Sequence, residues 1–178
     1  MTLLRNQDIQ LRALEPEDLD TLYRWENNAD IWQYGSTLAP FSKFIIREYI
    51  AESHRDIYEI HQVRFMIEQI GTRTPIGLAD LFDFDPHHRR AAVGILIDMP
   101  FQRQGLGFMA LQLLQEYAFS FLKIHQLYAY IPINNKASLK LFDRSGFVCH
   151  GTFKEWLLTQ NGYTDVALVQ KINSDKFL

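Results

Sequence analysis

The chain has 178 residues, 47% of them hydrophobic and 13% aromatic, which suffices for one domain with a sizeable core and argues against disorder. Lys and Arg number 18 against 21 Asp and Glu, a net charge of −3, which excludes a nucleic-acid binder relying on bulk positive charge. Cys149 is the single cysteine, which excludes an internal disulfide and a cysteine-rich zinc site.

The opening Met1-Thr2-Leu3-Leu4-Arg5-Asn6 lacks the long apolar region of a signal peptide, and no apolar run approaches a membrane span. The expectation is a soluble cytoplasmic protein whose residues 1–178 form one domain. Residues 9–14 alternate in polarity and predict a first strand. Glu15-Pro16-Glu17-Asp18 then opens a helix, with proline early and acids near the positive end of the dipole. Leu19, Leu22, Tyr23 and Trp25 give that helix an apolar side, and Asn27-Asn28-Ala29-Asp30 breaks it. The loop at 31–37 mixes aromatic and polar residues; it reads equally as a packed connection or as the wall of a pocket. A second helix is predicted over 42–54.

Residues 63–70 and 75–83 read as antiparallel strands joined through Gly71-Thr72-Arg73-Thr74. Asp85-Pro86-His87-His88-Arg89-Arg90 is a turn, and its adjacent histidines point to opposite faces, which disfavours a metal patch. No metal site is expected elsewhere. The apolar run at 93–97 reads as a buried strand, and Gly94 within it hints at a bulge or a close backbone approach. Gln102-Arg103-Gln104-Gly105-Leu106-Gly107-Phe108 then turns into a helix. Leu106, Ala110, Leu113, Leu114, Tyr117, Ala118 and Phe121 mark its apolar stripe, with Gln112, Gln115, Glu116 and Ser120 off it. A helix starting in a glycine-bearing loop directs N–H groups outward and makes an anion site, most naturally for phosphate. The loop is not a Walker motif, because no Gly-Lys-Ser/Thr follows. It is a poor dinucleotide fingerprint, because Ala110 stands at the third glycine's place.

Residues 126–131 form the next strand, halted at Pro132. Asn134 or Asn135 caps a short helix from Ala137 to Arg144 that ends at Gly146. Residues 147–150 and 164–171 complete the sheet around the turn Gln160-Asn161-Gly162. The fold class is α/β: a mixed, mostly antiparallel sheet of about seven strands with helices on both faces, since too many consecutive strands lack an intervening helix for a doubly wound sheet.

Gln102-x-x-Gly105-x-Gly107 after an apolar strand is similar to the Gln/Arg-x-x-Gly-x-Gly/Ala signature of GNAT-type N-acetyltransferases. Asn135-Lys136-Ala137-Ser138, followed by Leu141-Phe142-Asp143-Arg144-Ser145-Gly146-Phe147, resembles that family's second motif at its spacing. Within the family the chain looks most like the spermidine/spermine acetyltransferases and the enzymes that acetylate ribosomal-protein N-termini. The resemblance implies acetyl-CoA as co-substrate and direct attack of a primary amine on its thioester. It implies a splay of the fourth and fifth strands, with pantetheine between them. Backbone groups of Ile95, Leu96 and Ile97 are then expected to hold pantetheine. The amides of Gln102, Arg103, Gln104, Gly105, Leu106, Gly107 and Phe108 would hold the pyrophosphate, and Asn135, Ser138 and Phe142 would line the coenzyme arm.

Two positions depart from the family. Phe142 stands where relatives carry a Tyr near the coenzyme sulfur, and Ala92 stands where they often carry a Glu. Neither can move a proton, so the catalytic groups are left open among Tyr128, Tyr130, Asp80 and Asp83, water assisted by orientation, or binding without efficient transfer. For the acceptor, the expected wall residues are Trp32, Tyr34 and Glu26. The expected acceptor is a polyamine or diamine, with a protein N-terminus second. Association of identical chains is left open, and neither nucleic acid nor membrane is expected as a partner.

Overall fold

The computed structural model describes residues 3–32, 37–159 and 161–174. Strands β1 (Ile9–Arg12), β2 (Val63–Gln69), β3 (Thr74–Asp85), β4 (Arg90–Ile97), β5 (Gln126–Pro132), β6 (Val148–Thr159) and β7 (Gly162–Ile172) form one sheet in the order β1-β2-β3-β4-β5-β7-β6. Every neighbouring pair is antiparallel except β4 and β5. The mixed, mostly antiparallel sheet read from the sequence is the one observed.

Strand alternation sends two apolar sets to opposite faces. Phe65, Ile67, Ala79, Leu81, Val93, Leu127, Ala129 and Val169 meet Ala110, Leu111 and Leu114 of helix α5 (Leu106–Glu116), and Phe142 of helix α6 (Lys136–Arg144) joins the same core. On the other face Met66, Leu78 and Leu96 pack against Leu22 and Trp25 of α1 (Leu19–Glu26) and Ile46 and Ile50 of α3 (Lys43–Glu52). Ser42 caps α3 by accepting from the Ile45 N–H at 3.2 Å.

Several expectations are corrected. The break at 27–30 becomes a helical turn, α2 (Ala29–Trp32), started by Asn28, whose Oδ1 accepts from Asp30 N–H at 3.0 Å. A one-turn helix, α4 (Ile57–Ile60), is started by the Asp56 carboxylate, an Asx signal that a four-residue apolar stretch does not reveal. No register shift occurs at Gly94: Asp80 lies opposite it, and the irregularity in the β3–β4 pair falls between Phe82 and Asp85. Strand β6 runs on to Thr159, far beyond the expected end at 150, because β7 pairs with it along its length.

The stripe of α5 holds to Ala118 and then loses phase. Tyr117–Phe121 is a π turn, with Leu122 N–H bonded to Tyr117 O at 3.1 Å, and the extra residue per turn leaves Phe121 62% exposed. Gln115, expected off the stripe, is buried instead. It sits with Lys171 of β7, whose ammonium donates to the Gln115 side-chain oxygen and, at 2.8 Å, to the carbonyl of Ser145 at the end of α6.

Candidate functional site

Parallel pairing of β4 with β5 is confined to Arg90–Gln126, Ala91–Leu127 and Ala92–Tyr128. Beyond that point β4 continues to Ile97 on β3, and β5 continues to Pro132 on β7, so the two strands part and a cleft opens between them. Gly77 fastens β4 to the β3 side: a Cβ there would lie 2.0 Å from the Leu96 carbonyl oxygen. Ile95, Leu96 and Ile97 therefore present the β5-facing edge of their backbone to the cleft.

The loop after β4 closes one end of it. The Asp98 side chain accepts from Met99 N–H at 2.9 Å and pairs with Arg24 at 3.0 Å. Gln102 donates from its side-chain amide to Ile97 O at 2.9 Å, and Gln104 donates to Pro100 O at 3.0 Å, so both glutamines spend their side chains on the shape of the turn. Arg103 and Gly105 take left-handed conformations, at φ 62 and 81. The first hydrogen bond of α5 runs from Met109 N–H to Gly105 O at 3.1 Å, so the N–H groups of Leu106, Gly107 and Phe108 point out of the helix end. Gly107 is wedged: a Cβ would lie 3.3 Å from Ile97 Cγ1 and 3.6 Å from Leu141 Cδ2.

Helix α6 forms the second wall. Asn135 caps it, accepting from Ser138 N–H at 3.1 Å. Leu141 reaches Gly107, and the Arg144 guanidinium lies over the Phe108 ring at 5.3 Å. Phe142 is buried edge-on against Phe147, with ring centroids 4.9 Å apart. Ala92 is buried opposite Tyr128 at the apex of the cleft.

On the α1/α3 face of the sheet the cleft meets a charged cluster. Arg64 forks onto Asp80 (2.7 and 3.0 Å) and reaches Glu26 at 2.5 Å, with its guanidinium 5.3 Å from the Tyr49 ring. Burial works against the Arg64 charge, but the Asp80 carboxylate outweighs it and raises the pKa further. Burial also pushes the Tyr49 phenol up. Trp32 donates its indole N–H to Glu26 O at 2.6 Å, so two of the expected acceptor-side residues lie together, while Tyr34 falls outside the described residues. A cavity of about 380 Å³ opens beside the cluster, walled in part by Tyr49, His61, Arg64, Asp80, Phe82 and Asp83. Tyr128 stands at the apex, its phenol raised by burial and then by the charge of Asp83, with Tyr130 at 5.6 Å.

Asp80 is thus engaged by Arg64 rather than poised alone. Arg64 and Tyr49 were not singled out from the sequence. Counting back from the Gln69–Thr74 turn sets Arg64 opposite Ala79; a bulge between Ile67 and Glu68 shifts it to Asp80. Among the described residues no group of three or more His, Cys, Asp or Glu could hold a metal ion, and no helix is long and apolar enough to cross a membrane.

Residues 8–148 match the family model described as an acetyltransferase (GNAT) domain. The spermidine N(1)-acetyltransferase of Escherichia coli K12 is 29% identical over 143 residues, covering 80% of this chain and 74% of that protein. A solved spermidine N-acetyltransferase from Vibrio cholerae, in complex with CoA and spermine, superimposes with a TM-score of 0.83 at 28% identity, covering 95% of this chain and 98% of that one. A dodecameric structure of spermidine N-acetyltransferase from the same organism gives 0.80 at 26% identity, covering 95% and 96%. The ribosomal-protein-S5-alanine acetyltransferase of Vibrio fischeri shares the fold, with a TM-score of 0.82 at 20% identity over 98% of each chain.

Proposed function

The chain belongs to the GNAT family of acetyltransferases and is an acetyl-CoA-dependent N-acetyltransferase; from that premise we propose that its acceptor is a polyamine. The observation that carries this reading is the acceptor side of the cleft: Glu26 and Asp80 bond the Arg64 guanidinium and Asp83 stands on the wall of the same cavity, three carboxylates to that one cation, while Arg90, which also acts at the apex, is paired with Asp85 at 3.1 Å. The spermidine acetyltransferases that the chain resembles support the same acceptor class.

In this reading the parted edge of β4 at Ile95, Leu96 and Ile97 holds the pantetheine arm as an added strand would. The outward N–H groups of Leu106, Gly107 and Phe108 take the pyrophosphate, and α6 closes over the arm with Asn135 and Ser138, while Phe142, expected to line the arm, lies beneath them in the core. The amine nitrogen attacks the thioester carbonyl carbon, the C–S bond breaks, and the amine's proton leaves to water. Phe142 and Ala92 carry no proton, so orientation supplies most of the acceleration, on the order of 7–11 kcal/mol where geometry is right. Tyr128 is the group at the apex whose raised phenol is protonated at neutral pH and can give its proton to the leaving sulfur. We place the enzyme in the cytoplasm with its co-substrate, and as an assembly of identical chains like the dodecameric relative.

The test is thiol release from acetyl-CoA across spermidine, spermine, short diamines and N-terminal peptides. Saturable release with the polyamines supports the proposal. Release with peptides alone overturns it.

A further inference from the structure

Past Phe153 the β6 ladder falls out of step with β7. Phe153 stands opposite Val166 and Leu157 opposite Thr164, so Lys154, Glu155 and Trp156 face Asp165 alone. The Asp165 carboxylate pins this bulge: one oxygen accepts from Glu155 N–H at 2.9 Å and the other from the Lys154 ammonium at 2.7 Å. Glu155 is held at φ 48, and the Lys154 ammonium followed by the Glu155 N–H keeps the Asp165 carboxyl below its usual range.

In a regular strand Phe153 and Trp156, three residues apart, point to opposite faces. The bulge turns Trp156 to the side of Phe153, where their ring centroids are 4.8 Å apart. Phe153 lies 6.0 Å from Tyr130, and Tyr130 lies 5.6 Å from Tyr128. Four rings therefore run from the apex of the cleft, across β7, to the edge strand. They are open to the outside: Trp156 is 57% exposed and Tyr130 49%. The inner end carries the negative charge of Asp83 and of Asp85, the latter paired with Arg90 at 3.1 Å, and near the outer end the Lys154 ammonium is paired with Asp165 at 2.7 Å.

We infer that this aromatic strip is the subsite for the distal part of a long, extended cationic acceptor, and that Trp156 makes acceptor preference depend on length. Methylene segments lie along the rings and secondary ammonium groups sit over their π faces, an arrangement that suits evenly spaced cations. A short diamine reaches only the Tyr128–Tyr130 step; a tetraamine reaches the tryptophan. Continuity with the apex and the charge at its inner end favour this occupant. The inference rests on the polyamine reading above.

The test compares kcat/KM for spermine, spermidine and a short diamine in the wild type, Trp156→Ala, Trp156→Phe and Asp165→Asn, with thermal melting and light scattering on each. The expected result is a roughly tenfold fall in the spermine-to-diamine ratio for Trp156→Ala, carried by KM, and recovery of most of it by Trp156→Phe. Asp165→Asn, which loosens the bulge, shifts the ratio the same way. Polyamine transfer by the wild type with an unchanged ratio in Trp156→Ala overturns the inference and leaves the acceptor class intact. A wild type that acetylates no polyamine overturns both. A variant whose ratio holds while its mass falls shows that the rings instead face a second copy of the chain, and also overturns it.

Discussion

Gly105 and Gly107 look interchangeable in the sequence, yet the structure separates them. Gly105 has open space around it and needs only its left-handed backbone; Gly107 has ordinary backbone and a close neighbour, Ile97, against which an added Cβ would be tight. Gly105→Ala should cost about 1–2 kcal/mol of stability, the strain of a left-handed L-residue. Gly107→Ala should press on the Ile97 side chain at the end of β4 and raise KM for acetyl-CoA by a fewfold, a shift measurable by steady-state kinetics. Tyr128 gives a second contrast. Tyr128→Phe removes the phenol and keeps the ring, so kcat should fall by roughly tenfold to a hundredfold with KM for acetyl-CoA nearly constant. Because burial and Asp83 raise the Tyr128 pKa above its ordinary 10, the protonated donor persists as pH rises, and any activity lost through its ionisation is lost only above pH 10. A kcat profile of the wild type that falls at pH 8 through a group removed by Tyr128→Phe would contradict this assignment.

Elements are held by polar groups that the sequence does not pair in any visible way. Arg12 at the end of β1 bonds Asp18 at 2.7 Å and Glu68 of β2 at 2.6 Å, tying the first strand to the turn that opens α1. Asp18 and Glu68 are only 3% and 7% exposed, while Arg12 keeps some contact with water. Arg12→Met leaves two buried carboxylates without their cation and should cost about 2–4 kcal/mol in urea denaturation at neutral pH. Much of the architecture was nonetheless legible. The strands from β2 to β5, the helix after the glycine loop and the cap at Asn135 all follow from alternation, period and turn chemistry. Three of the misses share one cause, a change of phase. The π turn after Glu116 exposes Phe121, the bulge after Ile67 moves Arg64 onto Asp80, and the bulge opposite Asp165 breaks the alternation of β6. That last strand is also exposed along most of its length, so no hydrophobic pattern marks it. The loop before α5 was visible because glycines announce it; the Arg64 cluster was not, because its members come from four separate elements.

At the scale of the molecule, coenzyme and fold are linked through the cleft. Acetyl-CoA binds only the folded chain, so at a hundredfold excess over Kd it should add about 2.7 kcal/mol. For a chain of this length that corresponds to a rise of roughly 5–10 °C in Tm, readable by differential scanning fluorimetry. CoA lacking its 3′,5′-ADP portion should raise it far less, since the outward amides of α5 would have nothing to hold. The sheet itself is two antiparallel ribbons, one drawn wholly from residues 9–97 and the other from 126–172, sewn together by three residue pairs. Cutting the chain between Leu122 and Gln126 would sever the covalent strap without interrupting either ribbon. The two fragments should then find each other through the β4–β5 pairing and the contact of α6 with α5, and a coenzyme lying along the stitching, as proposed, should tighten their union. Fused to the halves of a reporter, such a pair would signal the concentration of acetyl-CoA rather than its consumption.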